Sequence, residues 1–219
     1  MIRVKICGIT RMEDAITSAA AGADLVGFVL APSARRAELK AVGEISRRLT
    51  REWPRVARVG VFVDPSPDEI ARAAEEADLT HVQIHGRIPT PMPADRPWIA
   101  ALALATAEDA AGAAAMADPA DGAAPWALLV EPKDAQLAGG TGRTLPWEWA
   151  AHLVARHRVI IAGGLDADRV SPLLDRLTPY GVDASSRLEV APGIKDPAKI
   201  RAFVAAVRAK EKERGTEWA

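Results

Sequence analysis

Residues 56–86 read VARVGVFVDPSPDEIARAAEEADLTHVQIHG, and their reading decides the fold class. Residues 56–63 are a short apolar run rich in valine, which is the composition of a strand. Residues 67–77, PDEIARAAEEA, follow with a proline and acids in the first turn, as a helix N-terminus prefers. Residues 81–86, HVQIHG, are a second short run. Strand, helix and strand in succession make a βαβ unit, whose two strands run parallel.

The same alternation continues in both directions. Short runs also occur at 4–7 (VKIC), 25–30 (LVGFVL), 98–104 (WIAALAL), 126–131 (WALLVE), 159–164 (VIIAGG) and 181–186 (GVDASS). Helical spacing fills 12–22, where Gly22 suits a C-cap, and then 107–117, 166–177 and 196–211. The fourth connection, RIPTPMPADRP (87–97), holds four prolines, which argue against a regular helix there. Residues 112–125, GAAAMADPADGAAP, read as a helix end and loop. Eight strands alternating with helices predict an α/β fold, a single-domain (β/α)8 TIM barrel over 1–219 with an irregular fourth βα connection. A doubly wound open sheet is the alternative. No GxGxxG opens a helix after a strand and no Walker GxxxxGK[ST] occurs, so dinucleotide and nucleoside-triphosphate readings lose support.

Composition narrows the function. The 219 residues are 49% hydrophobic, enough for a sizeable core, and carry a net charge of −1 with no basic block. That balance points away from nucleic acid and anionic membranes. One cysteine makes no internal disulfide and fits a reducing compartment. Charges at Arg3 and Lys5 interrupt the N-terminal run, unlike a signal peptide, and no run reaches the length of a membrane span. The expectation is a soluble cytoplasmic protein, monomer or homodimer.

In a barrel of this kind the active site forms at the C-terminal ends of the strands. Those ends supply Cys7, APSARR (31–36), Asp64, His85, Glu131, GGL (163–165) and DASS (183–186). Loops after strands seven and eight commonly hold phosphate, and glycine lets the backbone approach an anion, which marks Gly163, Gly164, Ser185 and Ser186. Arg35 and Arg36 each offer a fork that matches a carboxylate or phosphate, or else sit on a solvated loop. The glycine-rich GGTGR (139–143) is a candidate closing loop or a plain loop tip. Cys7 is either a buried small hydrophobe or a proton-transfer group at a strand end. His81, His85, His152 and His157 form no metal-ligand pattern with Cys7, so no metal is expected.

The ordered set VKICGIT, GADLVGFVLAPSARR, VGVFVD, VQIHG, GGTGRT, AGGLDADRV and GVDASSRLE…PGIKDPAKI resembles the phosphoribosylanthranilate isomerase family over nearly the whole chain. The resemblance implies a cofactor-independent Amadori rearrangement in tryptophan biosynthesis. N-(5-phosphoribosyl)anthranilate, a small-molecule substrate, becomes 1-(2-carboxyphenylamino)-1-deoxyribulose 5-phosphate. It implies Cys7 as the base and Arg36 as the partner of the anthranilate carboxylate. It also implies His85 and Asp183 in substrate binding, and Gly163, Gly164, Ser185 and Ser186 on the phosphate. The family acid, an aspartate at the end of strand six, falls on Glu131, with Asp134 as the other candidate. Arg187 stands where many relatives have glycine. Lys5 shares the Cys7 face of its strand and is expected to lower the thiol pKa. Two alternatives stay open: a non-catalytic sugar-phosphate-binding relative, and a different sugar-phosphate isomerase on the same barrel. A histidine-pathway isomerase would place an aspartate at the end of strand one, where Cys7 stands.

Overall fold

The computed structural model describes residues 1–92, 96–118, 124–133 and 147–215. The chain runs β1 (Arg3–Cys7), α1 (Met12–Ala21), β2 (Leu25–Val29), α2 (Leu39–Glu52), β3 (Ala57–Val63), α3 (Pro67–Glu76) and β4 (His81–His85). It continues with β5 (Trp98–Leu104), α4 (Ala107–Ala117), β6 (Ala127–Pro132), α5 (Trp147–Val154), β7 (Val159–Ile161), α6 (Ala167–Arg176) and β8 (Gly181–Ala184). A short hairpin, β9 (Glu189–Ala191) and β10 (Ile194–Lys195), precedes α7 (Pro197–Glu213). Strands β1 to β8 pair in sequence order, and β8 closes on β1, so the sheet is a parallel barrel with no open edge. Among the described residues no helix joins β4 to β5, which is where the four prolines lie.

Local chemistry sets the element ends. Ser66 caps α3 by accepting from the Glu69 N–H, with Pro67 in the first turn. Thr106 and Asp109 form a reciprocal capping box on α4. Asp166 and Asp196 cap α6 and α7. Gly22 ends α1 in the left-handed region at φ 99°, where a side chain would be strained.

Strand alternation then divides the core. Outward residues such as Val4, Ile6, Val26, Phe28, Phe62, Ile84, Val130 and Val182 pack under the helices. Inward residues Leu25, Val59, Ile99, Ala101, Leu129 and Ile160 fill the barrel. At the N-terminal ends of the strands Trp126 packs edge-on against His81 and Tyr180, at ring distances of 4.8 and 5.3 Å, with Arg158 beside both aromatic rings. At the opposite end the inward positions turn polar, and the site lies there.

Candidate active site

Lys5 and Asp183 form the floor. They are register partners across β1 and β8, and Lys5 Nζ donates to Asp183 Oδ1 at 2.9 Å. Lys5 is fully buried. A buried ammonium is tolerated only when paired, and here Asp183 and the nearby thiol outweigh the burial that disfavours its charge. Its pKa is raised, so Lys5 stays positive.

Cys7 sits two residues beyond Lys5 on the same inward face, at the end of β1. Its register partner on β2 is Gly27. A Cβ on Gly27 would lie 2.8 Å from Cys7 Sγ and 3.1 Å from Lys5 Nζ, so the thiol and the ammonium share the space that this glycine vacates. The expected downward pull of Lys5 on the thiol pKa is present but outweighed. Burial is the largest effect and pushes it up, the Lys5 charge and hydrogen bond pull it down, and the net is a raised pKa.

Glu131 is the penultimate residue of β6 and His85 ends β4, both half-buried. Burial, then the Asp183 charge, raises the Glu131 pKa against the pull of Lys5. Burial, then Lys5, holds the His85 ring below its ordinary pKa. The Gln83 amide lies within hydrogen-bond reach of His85 Nε2, at 2.8 Å. Cys7, His85 and Glu131, from three strands, thus all sense one Lys5–Asp183 pair.

Gly163, at φ 95°, packs against Pro132 and the Glu131 side chain, where a side chain would collide. Gly164, at φ 66°, faces Arg187, whose Nε would lie 3.5 Å from a Cβ there. Arg187 also pairs with Asp166 at 3.2 Å. Ser185 and Ser186 follow β8, and residues 186–188 make a single 3-10 turn. The phosphate candidates therefore form one rim, with Arg187 on it. Of the arginine pair, Arg35 is engaged with Glu189, whereas the exposed Arg36 guanidinium makes no hydrogen bond or ion pair among the described residues. Asp64 accepts from the Arg87 N–H and ties the β3 and β4 loops together. Asp134 and GGTGR (139–143) lie outside the described residues.

Three contributors escaped the sequence reading. Gly27 lies inside GADLVGFVL, Gln83 inside VQIHG, and Lys195 inside PGIKDPAKI, so each was quoted without a role. Strand alternation from His85 would have put Gln83 on the inner face, whereas Gly27 and Lys195 needed the register. Among the described residues no group of three or more His, Cys, Asp or Glu could hold a metal. Among them, too, no helix is long and apolar enough to cross a membrane.

A profile of N-(5′-phosphoribosyl)anthranilate isomerase matches residues 4–206. The chain belongs to this isomerase family. The family enzyme of Chromohalobacter salexigens is 44% identical over 207 residues, covering 94% of this chain and 93% of the relative. The solved phosphoribosyl anthranilate isomerase of Thermotoga maritima superimposes with a TM-score of 0.85 at 34% identity, over 95% of this chain and all of the other. Another solved family member, in complex with reduced 1-(o-carboxyphenylamino)-1-deoxyribulose 5-phosphate, gives 0.79 at 32% identity, over 95% of this chain and 100% of the other.

Proposed function

We propose that this protein is a phosphoribosylanthranilate isomerase of tryptophan biosynthesis. Its reaction converts N-(5-phosphoribosyl)anthranilate to 1-(2-carboxyphenylamino)-1-deoxyribulose 5-phosphate. The observation that carries the reading is the convergence of a thiol on β1 and a carboxyl on β6 upon the Lys5–Asp183 pair. The family match over residues 4–206 supports the substrate.

Glu131 acts as the general acid. Its burial favours the protonated form, which the step requires. It gives a proton to the ribose ring oxygen, the C1′–O bond breaks, and a protonated Schiff base forms with the anthranilate nitrogen. Cys7 acts as the general base and removes the C2′ proton. The electron pair moves into the C1′–C2′ bond and neutralises the nitrogen, which leaves an enolamine. Tautomerisation gives the ketone. The base is the Cys7 thiolate, and the positive nitrogen acidifies the C2′ proton that it takes. Asp183 and His85 contact the sugar, and Arg36 takes the anthranilate carboxylate. Gly163, Gly164, Ser185 and Ser186 hold the phosphate through backbone N–H groups and hydroxyls. The steps need no cofactor or metal, and a single cysteine with a biosynthetic role fits the cytoplasm.

The test is turnover of purified protein on freshly generated phosphoribosylanthranilate, followed by loss of anthranilate fluorescence in the presence of a chelator. The reading requires turnover, and requires Cys7→Ala to abolish it while product-analogue affinity stays nearly intact. A protein that binds the analogue without turning over substrate, or a Cys7→Ala variant at full rate, overturns it.

A further inference from the structure

Glu189 opens the β9–β10 hairpin, next to the β8 turn, and its side chain is only 4% exposed. It accepts from Arg35 Nε at 2.9 and 3.0 Å, from Arg35 Nη2 at 2.9 Å, from Lys195 Nζ at 2.9 Å and from the Gly193 N–H at 3.3 Å. The Lys195 side chain is fully buried, and its Nζ also donates to Ser185 O at 3.2 Å and Ser185 Oγ at 3.4 Å. A Cβ on Gly8 would lie 3.0 Å from both Arg35 Cδ and Ser185 Oγ and 3.4 Å from Lys195 Nζ. Arg35 and Lys195, both held by Glu189, therefore pack against Gly8, the residue after Cys7. They join the loops that follow β1, β2 and β8.

A carboxylate held by a bidentate fork and an ammonium has few alternative rotamers, because each buried charge is costly without its partner. Burial raises the Glu189 pKa, but hydrogen bonds and charge from Arg35 and Lys195 outweigh it, so the carboxylate stays ionised. Arg36 follows Arg35 directly, and its N–H donates to Ser33 O at 3.1 Å while it bridges Val29. The backbone beneath the free Arg36 fork is thus immobilised from Glu189.

We propose that Arg35, Glu189 and Lys195 form a positioning unit that sets the spacing between the Arg36 loop and the Ser185–Ser186 turn, and with it the fit of a substrate carrying an anion at each end. The proposal rests on the proposed function, which assigns the carboxylate to Arg36 and the phosphate to the Ser185 turn. None of the three residues needs to touch substrate. Glu189 distinguishes positioning from simple charge. Removing its negative charge would by Coulomb attraction tighten anion binding, whereas loss of positioning weakens it.

The experiment measures dissociation constants of two probes. The reduced product analogue carries carboxylate and phosphate, and ribulose 5-phosphate carries phosphate alone. Glu189→Gln and Arg35→Gln are each expected to weaken the two-anion probe about tenfold and raise KM similarly, the effect of one charged hydrogen bond. Binding of ribulose 5-phosphate is expected to stay within about twofold, below the size of one such bond. Arg35→Lys recovers part of the loss, and the double variant loses less than the product of the singles. Equal weakening of both probes, no change, or tighter binding in Glu189→Gln overturns the proposal. If Glu189→Gln does not fold, the two probes are compared on the partly exposed Arg35, where equal weakening of both probes or no change in Arg35→Gln, or no recovery in Arg35→Lys, overturns the proposal. Lack of turnover by the unmodified protein sinks the function instead, and the binding comparison reads the spacing independently of turnover.

Discussion

Replacing Gly27 with alanine tests whether the position of the thiol matters. The added methyl would sit 2.8 Å from Cys7 Sγ, 3.1 Å from Lys5 Nζ and 3.3 Å from Cys7 Cα. Comfortable contact between such atoms is about 3.5–4.0 Å, so Sγ must retreat by roughly 1 Å. Cys7 Cα cannot absorb this, because it is held in register opposite Gly27 on β2. A displacement of about 1 Å at a reacting group costs about a hundredfold in rate, or about 2.7 kcal/mol in the barrier. The overpacking itself costs about 1–3 kcal/mol of stability. The assay is steady-state turnover on phosphoribosylanthranilate beside thermal unfolding of the same sample. Gly27→Ala is expected to fold, to melt a few degrees lower, and to lose kcat with little change in KM, since the anionic ends of the substrate bind elsewhere. A folded Gly27→Ala variant within threefold of the unmodified rate would refute the reasoning, because the thiol would then not need its present place.

Glu131→Gln cannot donate the ring-opening proton and should lose nearly all turnover, whereas Glu131→Asp should keep or raise it; an active Glu131→Gln would redirect the acid role to Asp134. The productive state pairs protonated Glu131 with the Cys7 thiolate, and kcat/KM against pH is still a bell bounded by the two macroscopic pKa values. Burial raises both groups, so the acidic limb is expected above the ordinary 4.5 and the alkaline limb above the ordinary 9.0; limbs at or below those values would contradict the assignment. His81 is half-buried against Trp126, and that burial with the Arg58 charge holds its pKa down to about 4 from 6.5. The unfolded chain therefore binds the extra proton between those values, and stability should fall as pH drops from about 6.5 to about 4. His81→Phe should flatten that part of an unfolding-midpoint profile, and an unchanged slope would place its cause elsewhere.

The barrel was legible because strand and helix periods are local. VARVGVFV, PDEIARAAEEA and HVQIHG each announce their element, and a repeated βαβ unit leaves few topologies. The prolines of 87–97 correctly predicted a connection without a described helix. The positions of Cys7, His85 and Glu131 followed from the rule that barrel chemistry gathers at strand C-termini. The direction of the Cys7 pKa did not follow. Sequence spacing showed Lys5 on the same face, but the balance between its charge and burial depends on how much water the closed barrel excludes.

The sequence by itself announced the eight barrel strands, the helices α1, α3, α4, α6 and α7 and the chemistry at each strand end, because those depend on neighbours within a few residues; α2, α5 and the β9–β10 hairpin it left unread. Tertiary structure alone decided which arginine of the pair is engaged by Glu189, which reaches Arg35 from the far end of the chain. It also decided that Gly27 lies opposite Cys7 and that Lys195 stands behind Ser185. Register and burial arise from contacts between distant segments, and no local pattern carries them.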